Sequence, residues 1–146
     1  MKSIDYSKIS SFFNKRIIEI VGLSIILLSV FLLLSLVTYN PEDQYFSSQQ
    51  NAEINNLLGS YGSFTSDLIL QSFGIISFLL CITIFFTGIF VVKDKKLENI
   101  LTNSFYSIIY IASGSIVLNN FEKLSQWVIF NGNGGFVGSY LNNFFY

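Results

Sequence analysis

The chain has 146 residues, of which 51% are hydrophobic and 12% are charged, with a formal net charge of −1 and a mean hydropathy of +0.56. A soluble domain of this size carries about 25% charged residues, so the composition excludes that class. The sequence has no histidine, its single cysteine is Cys81, and no basic region is large enough to predict nucleic-acid binding. We therefore predict no catalytic, cofactor-binding or metal-binding residues.

The chain begins with a basic segment, residues 1–16, and continues into an apolar run over residues 17–39 whose one charged residue is Glu19. A membrane-spanning helix needs about 20 apolar residues, so this run is long enough to cross. Its apolar core is longer than that of a secretory signal, and no small-x-small cleavage site follows it. Pro41 cannot continue a helix. The sequence predicts a retained first span over 17–39.

The predicted loop over residues 40–67 has four acidic residues and no basic one, and a second apolar run follows over 68–92 without any charge. This second run is the strongest membrane signal in the chain. Thr83 and Thr87 lie one helical turn apart within it. That spacing favours close packing against another span, while hydroxyl bonding within the same helix is the alternative.

A short basic loop, 93–99, leads to a third run over 100–118, which small and polar residues interrupt. Such residues are better tolerated among other helices than against lipid, so we predict an inner helix of a bundle. After it, 119–135 forms a second loop, in which Trp127 is expected at the membrane interface. Another helix is predicted to start at about residue 136.

Two glycine motifs share one pattern, Gly-x-x-Gly-Ser-aromatic, and lie 76 positions apart at Gly59–Phe64 and Gly135–Tyr140. They predict a repeated unit of which the chain holds one whole copy and most of a second. Neither motif has the Gly-x4-Gly-Lys-[Ser/Thr] pattern of a phosphate-binding loop. We therefore predict no nucleotide site in either stretch.

Basic residues alternate with the apolar runs, because seven of the eight lysines and arginines lie in residues 1–16 and 93–99. The positive-inside rule places these segments in the cytosol and loops 40–67 and 119–135 outside. The predicted fold is an all-α membrane protein, a multi-span helical bundle with three full transmembrane helices and the start of a fourth.

Several short motifs occur in a fixed order along the chain: Thr38-Tyr39-Asn40-Pro41-Glu42-Asp43, then Asn56-Leu57-Leu58-Gly59-Ser60-Tyr61-Gly62, then Ser66-Asp67-Leu68, Phe73-Gly74 and Gly134-Gly135-Phe136-Val137-Gly138. In order, spacing and predicted membrane side, they resemble the amino-terminal membrane domain of FtsK/SpoIIIE-type DNA translocases. The resemblance covers nearly the whole chain.

The resemblance implies a four-helix anchor in the bacterial inner membrane that targets the division septum and tethers a cytosolic ATP-driven motor. The chain itself would not be an enzyme, and ATP and Mg²⁺ would belong to a motor that is absent here. Expected partners are the lipid bilayer, other septal proteins and further copies of the chain, without direct contact to nucleic acid. Loop 40–67 is the candidate contact surface, and a plain polar connector is the alternative.

A second interpretation is a small standalone multi-span protein, such as a subunit of a membrane complex or a component of a transporter. A transporter would be expected to carry ionisable residues near mid-membrane, and no charged residue lies deep in an apolar run. Reading the coding DNA beyond Tyr146 would separate the two. A further apolar run and a phosphate-binding loop would favour the translocase, and a stop codon would favour the standalone protein.

Overall fold

The computed structural model describes residues 6–43, 54–121 and 132–145, with side chains from Ser10 onward. These ranges are helical and contain no strand. The helices are α1 (Tyr6–Val37), α2 (Gly59–Phe73), α3 (Ser77–Asp94), α4 (Glu98–Asn119) and α5 (Gly135–Phe145), with one 3-10 turn (Gly74–Ile76) between α2 and α3.

Three segments of the described chain are long and apolar enough to cross a membrane: Ser10–Val37, Gly59–Asp94 and Glu98–Asn119. Each contains or matches one predicted apolar run, so the prediction of an all-α, multi-span membrane protein is confirmed. The exact span boundaries and the side of the membrane on which each loop lies stay predictions. Helix α5 has 11 residues, about 16 Å, and does not reach across a bilayer by itself.

The helices extend beyond the predicted spans in two places. Helix α1 begins at Tyr6, so much of the predicted basic segment 1–16 is helical. Helix α2 begins at Gly59, so the last part of predicted loop 40–67 is helical as well. The predicted second span, 68–92, is also not one continuous helix. Gly74 interrupts it with φ +69° and ψ −148°, a conformation that only glycine adopts readily.

Helices α1 and α3 run antiparallel in close contact. The Ser29 hydroxyl donates a 2.7 Å hydrogen bond to the Cys81 carbonyl oxygen, and seven residues away along both helices Gly22 faces Gly88. A Cβ atom on Gly88 would lie 2.9 Å from the Gly22 carbonyl oxygen, which is too close. The two glycines therefore set the distance between the helices, as small residues do in lipid.

Helices α3 and α4 are joined by polar side chains inside the predicted spans. Asn103 Nδ2 donates to Thr87 Oγ1 at 3.0 Å, and the Tyr110 hydroxyl donates to Thr83 Oγ1 at 2.8 Å. Each threonine hydroxyl also donates to the carbonyl four residues earlier in α3. Packing against another span and bonding within the helix were predicted as alternatives, and both occur because each hydroxyl accepts one bond while donating another.

Helix α4 does not have the buried position that its small residues predicted. Ser107, Ile111 and Ser115 form its buried line, but Leu101 is 76% exposed and Ile108 is 68% exposed. The buried small residues Ser107 and Ser115 lie on the side that meets α3 and α5, while Ser104 and Ser113 are exposed on the rest of α4. Within one chain α4 is an outer helix.

Candidate functional site

We call the end of the bundle at which α1 finishes the distal end, and the opposite end the proximal end. At the distal end, the Tyr39 hydroxyl donates a 3.1 Å hydrogen bond to Asp67 Oδ1, and Gln71 Nε2 donates to the same oxygen at 3.2 Å. Burial, with the negative charge of Asp67 adding to it, raises the pKa of Tyr39 to about 12. The neutral phenol is therefore the form that joins the chain after α1 to the middle of α2.

Asp43 closes the loop between α1 and α2. One carboxylate oxygen accepts from the backbone amide of Asn55 at 3.0 Å, and the other accepts from the backbone amide of Asn56 at 3.0 Å. The loop residues 44–53 lie outside the described residues. Both ends of that segment are nevertheless held together at one point, because hydrogen bonds to a charged acceptor are strong.

Asn56 caps the carboxyl-terminal end of α1 from outside that helix. Asn56 is buried, with 4% of its surface exposed. Its Nδ2 donates to the carbonyl oxygens of Ser35 at 3.0 Å and Thr38 at 3.2 Å. Its Oδ1 accepts from the Leu58 amide at 3.0 Å. The amide thus satisfies carbonyl groups that the end of a helix leaves without an internal partner.

Gly62 lies directly against these groups. A Cβ atom there would approach the Asn56 side chain and the Leu58 Cβ atom more closely than real atoms do, and the Ser35 hydroxyl donates to the Gly62 carbonyl oxygen. Residues from the first three motifs that carried the family resemblance, far apart in sequence, therefore meet in one place. We name this group the distal cluster: Tyr39, Asp43, Asn56, Gly62 and Asp67.

The break between α2 and α3 is filled by the chain that leads into α5. The Ile75 amide donates to the Asn133 carbonyl oxygen at 3.0 Å, and the Ser115 hydroxyl donates to the Phe73 carbonyl oxygen at 3.4 Å. A Cβ atom on Gly74 would lie 2.7 Å from the Gly135 nitrogen. In transporters, the backbone groups at a broken helix are free to bind a substrate. Here other residues of the protein form hydrogen bonds with these backbone groups. The break is a packing point between two chain segments.

The two glycine motifs have the same backbone geometry. The first glycine of each, Gly59 and Gly135, has a φ of +61° and +64° respectively. Its amide donates to the carbonyl three residues earlier, at 2.9 Å in the first motif and 3.1 Å in the second. The amide of the second glycine, Gly62 or Gly138, donates four residues back, at 3.3 Å and 3.0 Å. The predicted repeat is thus present at the level of the turn that starts α2 and α5.

Glu19 joins α1 to the loop between α3 and α4 at the proximal end. Its carboxylate oxygens lie 2.7 Å from Lys95 Nζ and 2.5 Å from Arg16 Nη1. Lys95 ends α3 in the left-handed conformation, with φ +55°, and its amide donates to the Val91 carbonyl oxygen. The one charged residue of the first apolar run is therefore paired, and the basic residues around it share the proximal end.

The described residues contain no group of three or more His, Cys, Asp or Glu side chains that could hold a metal ion. Cys81 is buried between α1 and α3 and forms no disulfide. Trp127, which was predicted at the interface, lies outside the described residues. The distal cluster consists of hydrogen bonds that hold the end of α1, the loop after it and α2 together. It is therefore a candidate site for structural support and for contact with other proteins.

Comparison with known proteins gives one family. Residues 14–146 match the model of the 4TM region of DNA translocase FtsK/SpoIIIE. The DNA translocase FtsK of Rickettsia bellii (strain RML369-C) is 29% identical over 126 residues, which are 86% of this chain and 16% of that protein. The DNA translocase FtsK of Rickettsia typhi (strain ATCC VR-144 / Wilmington) is 27% identical over 143 residues, 98% of this chain and 17% of that protein.

No solved structure matches the chain. The chain spans about one sixth of the length of these relatives, and the matched region includes the distal cluster, the break at Gly74 and both glycine motifs. The resemblance that the motifs predicted is confirmed. This chain belongs to the family of 4TM membrane regions of FtsK/SpoIIIE DNA translocases.

Proposed function

We propose that the chain is the membrane anchor of a DNA translocase that coordinates chromosome segregation with cell division. The observation that carries the proposal is the family match over residues 14–146, whose motif residues meet in the distal cluster. No catalysis is assigned to this chain. ATP hydrolysis, Mg²⁺ binding and DNA translocation are assigned to the part of the relatives that the chain does not cover.

The proposed location is the bacterial inner membrane at the division septum, with the amino terminus in the cytosol. The distribution of charge supports this orientation, because basic residues collect at the proximal end and the carboxylates of Asp43 and Asp67 lie at the distal end. The proximal end is then cytosolic and the distal end faces outward.

The proposed partners are lipid, other septal proteins and further copies of the chain, with no direct contact to nucleic acid. The loop between α1 and α2 is the proposed contact surface for septal proteins. Its support is the closure by Asp43, which holds both ends of the segment 44–53 at a fixed point on the distal end. A segment held in this way costs less entropy to order on binding than a free one does.

A localisation experiment tests both parts of the proposal. A fluorescent protein is fused to the chain and expressed in dividing bacteria, beside a variant in which residues 44–53 are replaced by a glycine-serine linker of equal length. The linker keeps Asp43, Asn55 and Asn56, so the closure remains. We expect the unchanged chain at the septum, and the variant in the membrane without septal enrichment.

Even distribution of the unchanged chain around the membrane would contradict the septal role. Septal enrichment of the linker variant would contradict the assignment of the contact surface to this loop. A matched control carries Ser113→Ala on the exposed side of α4, where the hydroxyl bonds only within its own helix. This control should behave as the unchanged chain does.

A further inference from the structure

Helix α2 crosses the distal end of α1 and does not run alongside it. In the antiparallel pair α1 and α3, two contact points are seven residues apart on both helices, as expected for helices that run side by side. On α2, Gly62 contacts Ser35 and Leu70 packs with Leu36. Two contacts that are eight residues apart on α2 are therefore only one residue apart on α1. Eight residues of helix extend about 12 Å. Such contacts require α2 to lie at a steep angle to α1.

The break at Gly74 makes this change of direction possible. As one straight helix, the 36 residues of Gly59–Asp94 would extend about 54 Å, far more than a hydrocarbon core of about 30 Å. Helix α3 alone has 18 residues, about 27 Å, which matches that thickness. The crossing therefore needs only α3 and the short turn before it, and α2 remains at the distal end.

The side of α2 that points away from the bundle is apolar. Leu57, in the turn before the helix, and Tyr61, Phe64 and Leu68 within it are spaced four, three and four residues apart, and so lie in one stripe. Their exposed fractions are 72%, 77%, 37% and 51%. The residues that face the bundle lie on the opposite side: Gly62, Ser63, Ser66 and Leu70.

A polar flank separates these two sides. Asp67 and Gln71 lie there, one turn apart and bonded to each other, and the bond from Tyr39 holds Asp67 at the level where α1 ends. The stripe itself carries no charge and includes a tyrosine, a residue enriched at membrane interfaces. A helix with one apolar side and one polar side is suited to lie in the interface plane.

We propose that α2 lies in the plane of the membrane at its distal surface, with Leu57, Tyr61, Phe64 and Leu68 in contact with the lipids of that leaflet. The occupant of the stripe is phospholipid because α2 lies at the level of Ser35 and Leu36, where the outer side of α1 is also apolar and exposed, at Leu33, Leu34 and Val37. The Asp67 flank faces water. This inference rests on the membrane location of the chain and not on the septal role.

Single tryptophans in lipid vesicles test the proposal. In a Trp127→Phe background, three variants each carry one tryptophan: Tyr61→Trp and Leu68→Trp in the stripe, and Phe86→Trp on the exposed side of α3. The purified chain is placed in phosphatidylcholine and phosphatidylglycerol vesicles whose acyl chains carry bromine, a quencher, at defined depths. Phe86→Trp is the reference for mid-membrane depth. The stripe residues are exposed, so these exchanges leave the bundle intact.

We expect bromine near the headgroup end of the acyl chain to quench Tyr61→Trp and Leu68→Trp most strongly, and at equal depth. If α2 instead crossed the membrane upright, seven residues would separate the two depths by about 10 Å. That result would overturn the proposal. Absence of quenching at both stripe positions, with Phe86→Trp quenched at mid-membrane, would also overturn it, because water or protein would then cover the stripe. Neither outcome depends on septal localisation.

Discussion

The start of α2 and the start of α5 use the same turn but are held by different means. At the start of α2, side chains do the holding, since Asn56 and Asp43 bond to backbone groups around Gly59 and Gly62. At the start of α5, the backbone itself is packed against the backbone of Ser72, Gly74 and Ser115, without room for a side chain on Gly135. A repeated turn can thus depend on hydrogen bonds in one copy and on close approach in the other. At the first glycine of the turn, Gly59 or Gly135, the first copy should tolerate added volume and the second should not, although Gly62 in the first copy is closely packed as well.

The largest expected effect comes from adding a methyl group to Gly135, the first glycine of the second turn, with the same change at Gly59 in the first turn as the comparison. Gly59→Ala and Gly135→Ala impose the same strain, because both glycines have a positive φ. A Cβ atom on Gly59 has nothing within 4 Å, whereas one on Gly135 would lie 2.6 Å from the Gly74 nitrogen. We expect a loss of unfolding free energy of about 1 kcal/mol for Gly59→Ala from strain alone and about 3 kcal/mol for Gly135→Ala.

Unfolding in mixed micelles with increasing denaturing detergent measures both variants. The difference between them isolates the packing term, since the backbone strain is shared. Equal losses for the two glycines would mean that the start of α5 is not packed against the break at Gly74.

Removal of the Asn56 side chain tests the first copy. Asn56→Ala leaves the carbonyl oxygens of Ser35 and Thr38 without their donor in a buried place, so we expect a loss of about 2 kcal/mol of unfolding free energy. Asn120→Ala is the matched control, because its exposed side chain donates only within α4, and it should cost less than about 0.5 kcal/mol. The same detergent titration reports both, and a loss for Asn56→Ala no larger than the control would show that side chains do not hold this turn.

A smaller effect is expected where side chains join α3 to α4 within the membrane. Thr83→Val and Thr87→Val keep the shape of the side chain but remove the acceptors of Tyr110 and Asn103. Interhelical hydrogen bonds of this kind contribute about 0.6 kcal/mol each, so the double variant should lose about 1 kcal/mol. Thr102→Val, whose hydroxyl donates only within α4, provides the control. A loss for the double variant no larger than that of the control would contradict the joining role.

The smallest effect at neutral pH is expected for Tyr39→Phe, and the difference in stability between this variant and the unchanged chain shrinks in alkali. Because the pKa of Tyr39 is raised to about 12 from its ordinary value of about 10, the bond to Asp67 stabilises the fold fully below pH 10 and is lost as the pH rises towards 12. Tyrosinate absorbance should show a late ionisation step that is smaller by one residue in Tyr39→Phe. A titration curve without that late step in the unchanged chain would contradict the buried bond.

The helical, multi-span architecture was predictable because long apolar runs must satisfy their own backbone in lipid. The repeat was also visible, since glycines recur at one spacing. The break at Gly74 was not predictable, because the apolar pattern continues through it without a change. The hydrogen-bond partners of Asn56 and Asp43 could not be predicted from the sequence either. The carbonyl groups that Asn56 contacts lie 18 and 21 residues away, and these contacts depend on how α2 crosses α1.

The position of α4 shows a different limit of the sequence. Its small residues correctly marked a contact side, as Ser107 and Ser115 are buried, but a contact on one side does not make an inner helix. The pair between Glu19 and Lys95 had no signal either, because Glu19 lies in α1 and Lys95 directly follows α3, so the two charges meet only when α1 and α3 pack.

An exchange of membrane regions tests the proposal that this chain is the anchor of a division DNA translocase. An FtsK-type translocase in a dividing bacterium has its own 4TM region replaced by this chain, and an unrelated four-span segment serves as the control. Fluorescence microscopy then measures septal enrichment of the translocase together with the fraction of cells whose chromosomes are separated. We expect this chain to restore both and the unrelated segment to restore neither. Equal behaviour of the two anchors would contradict it.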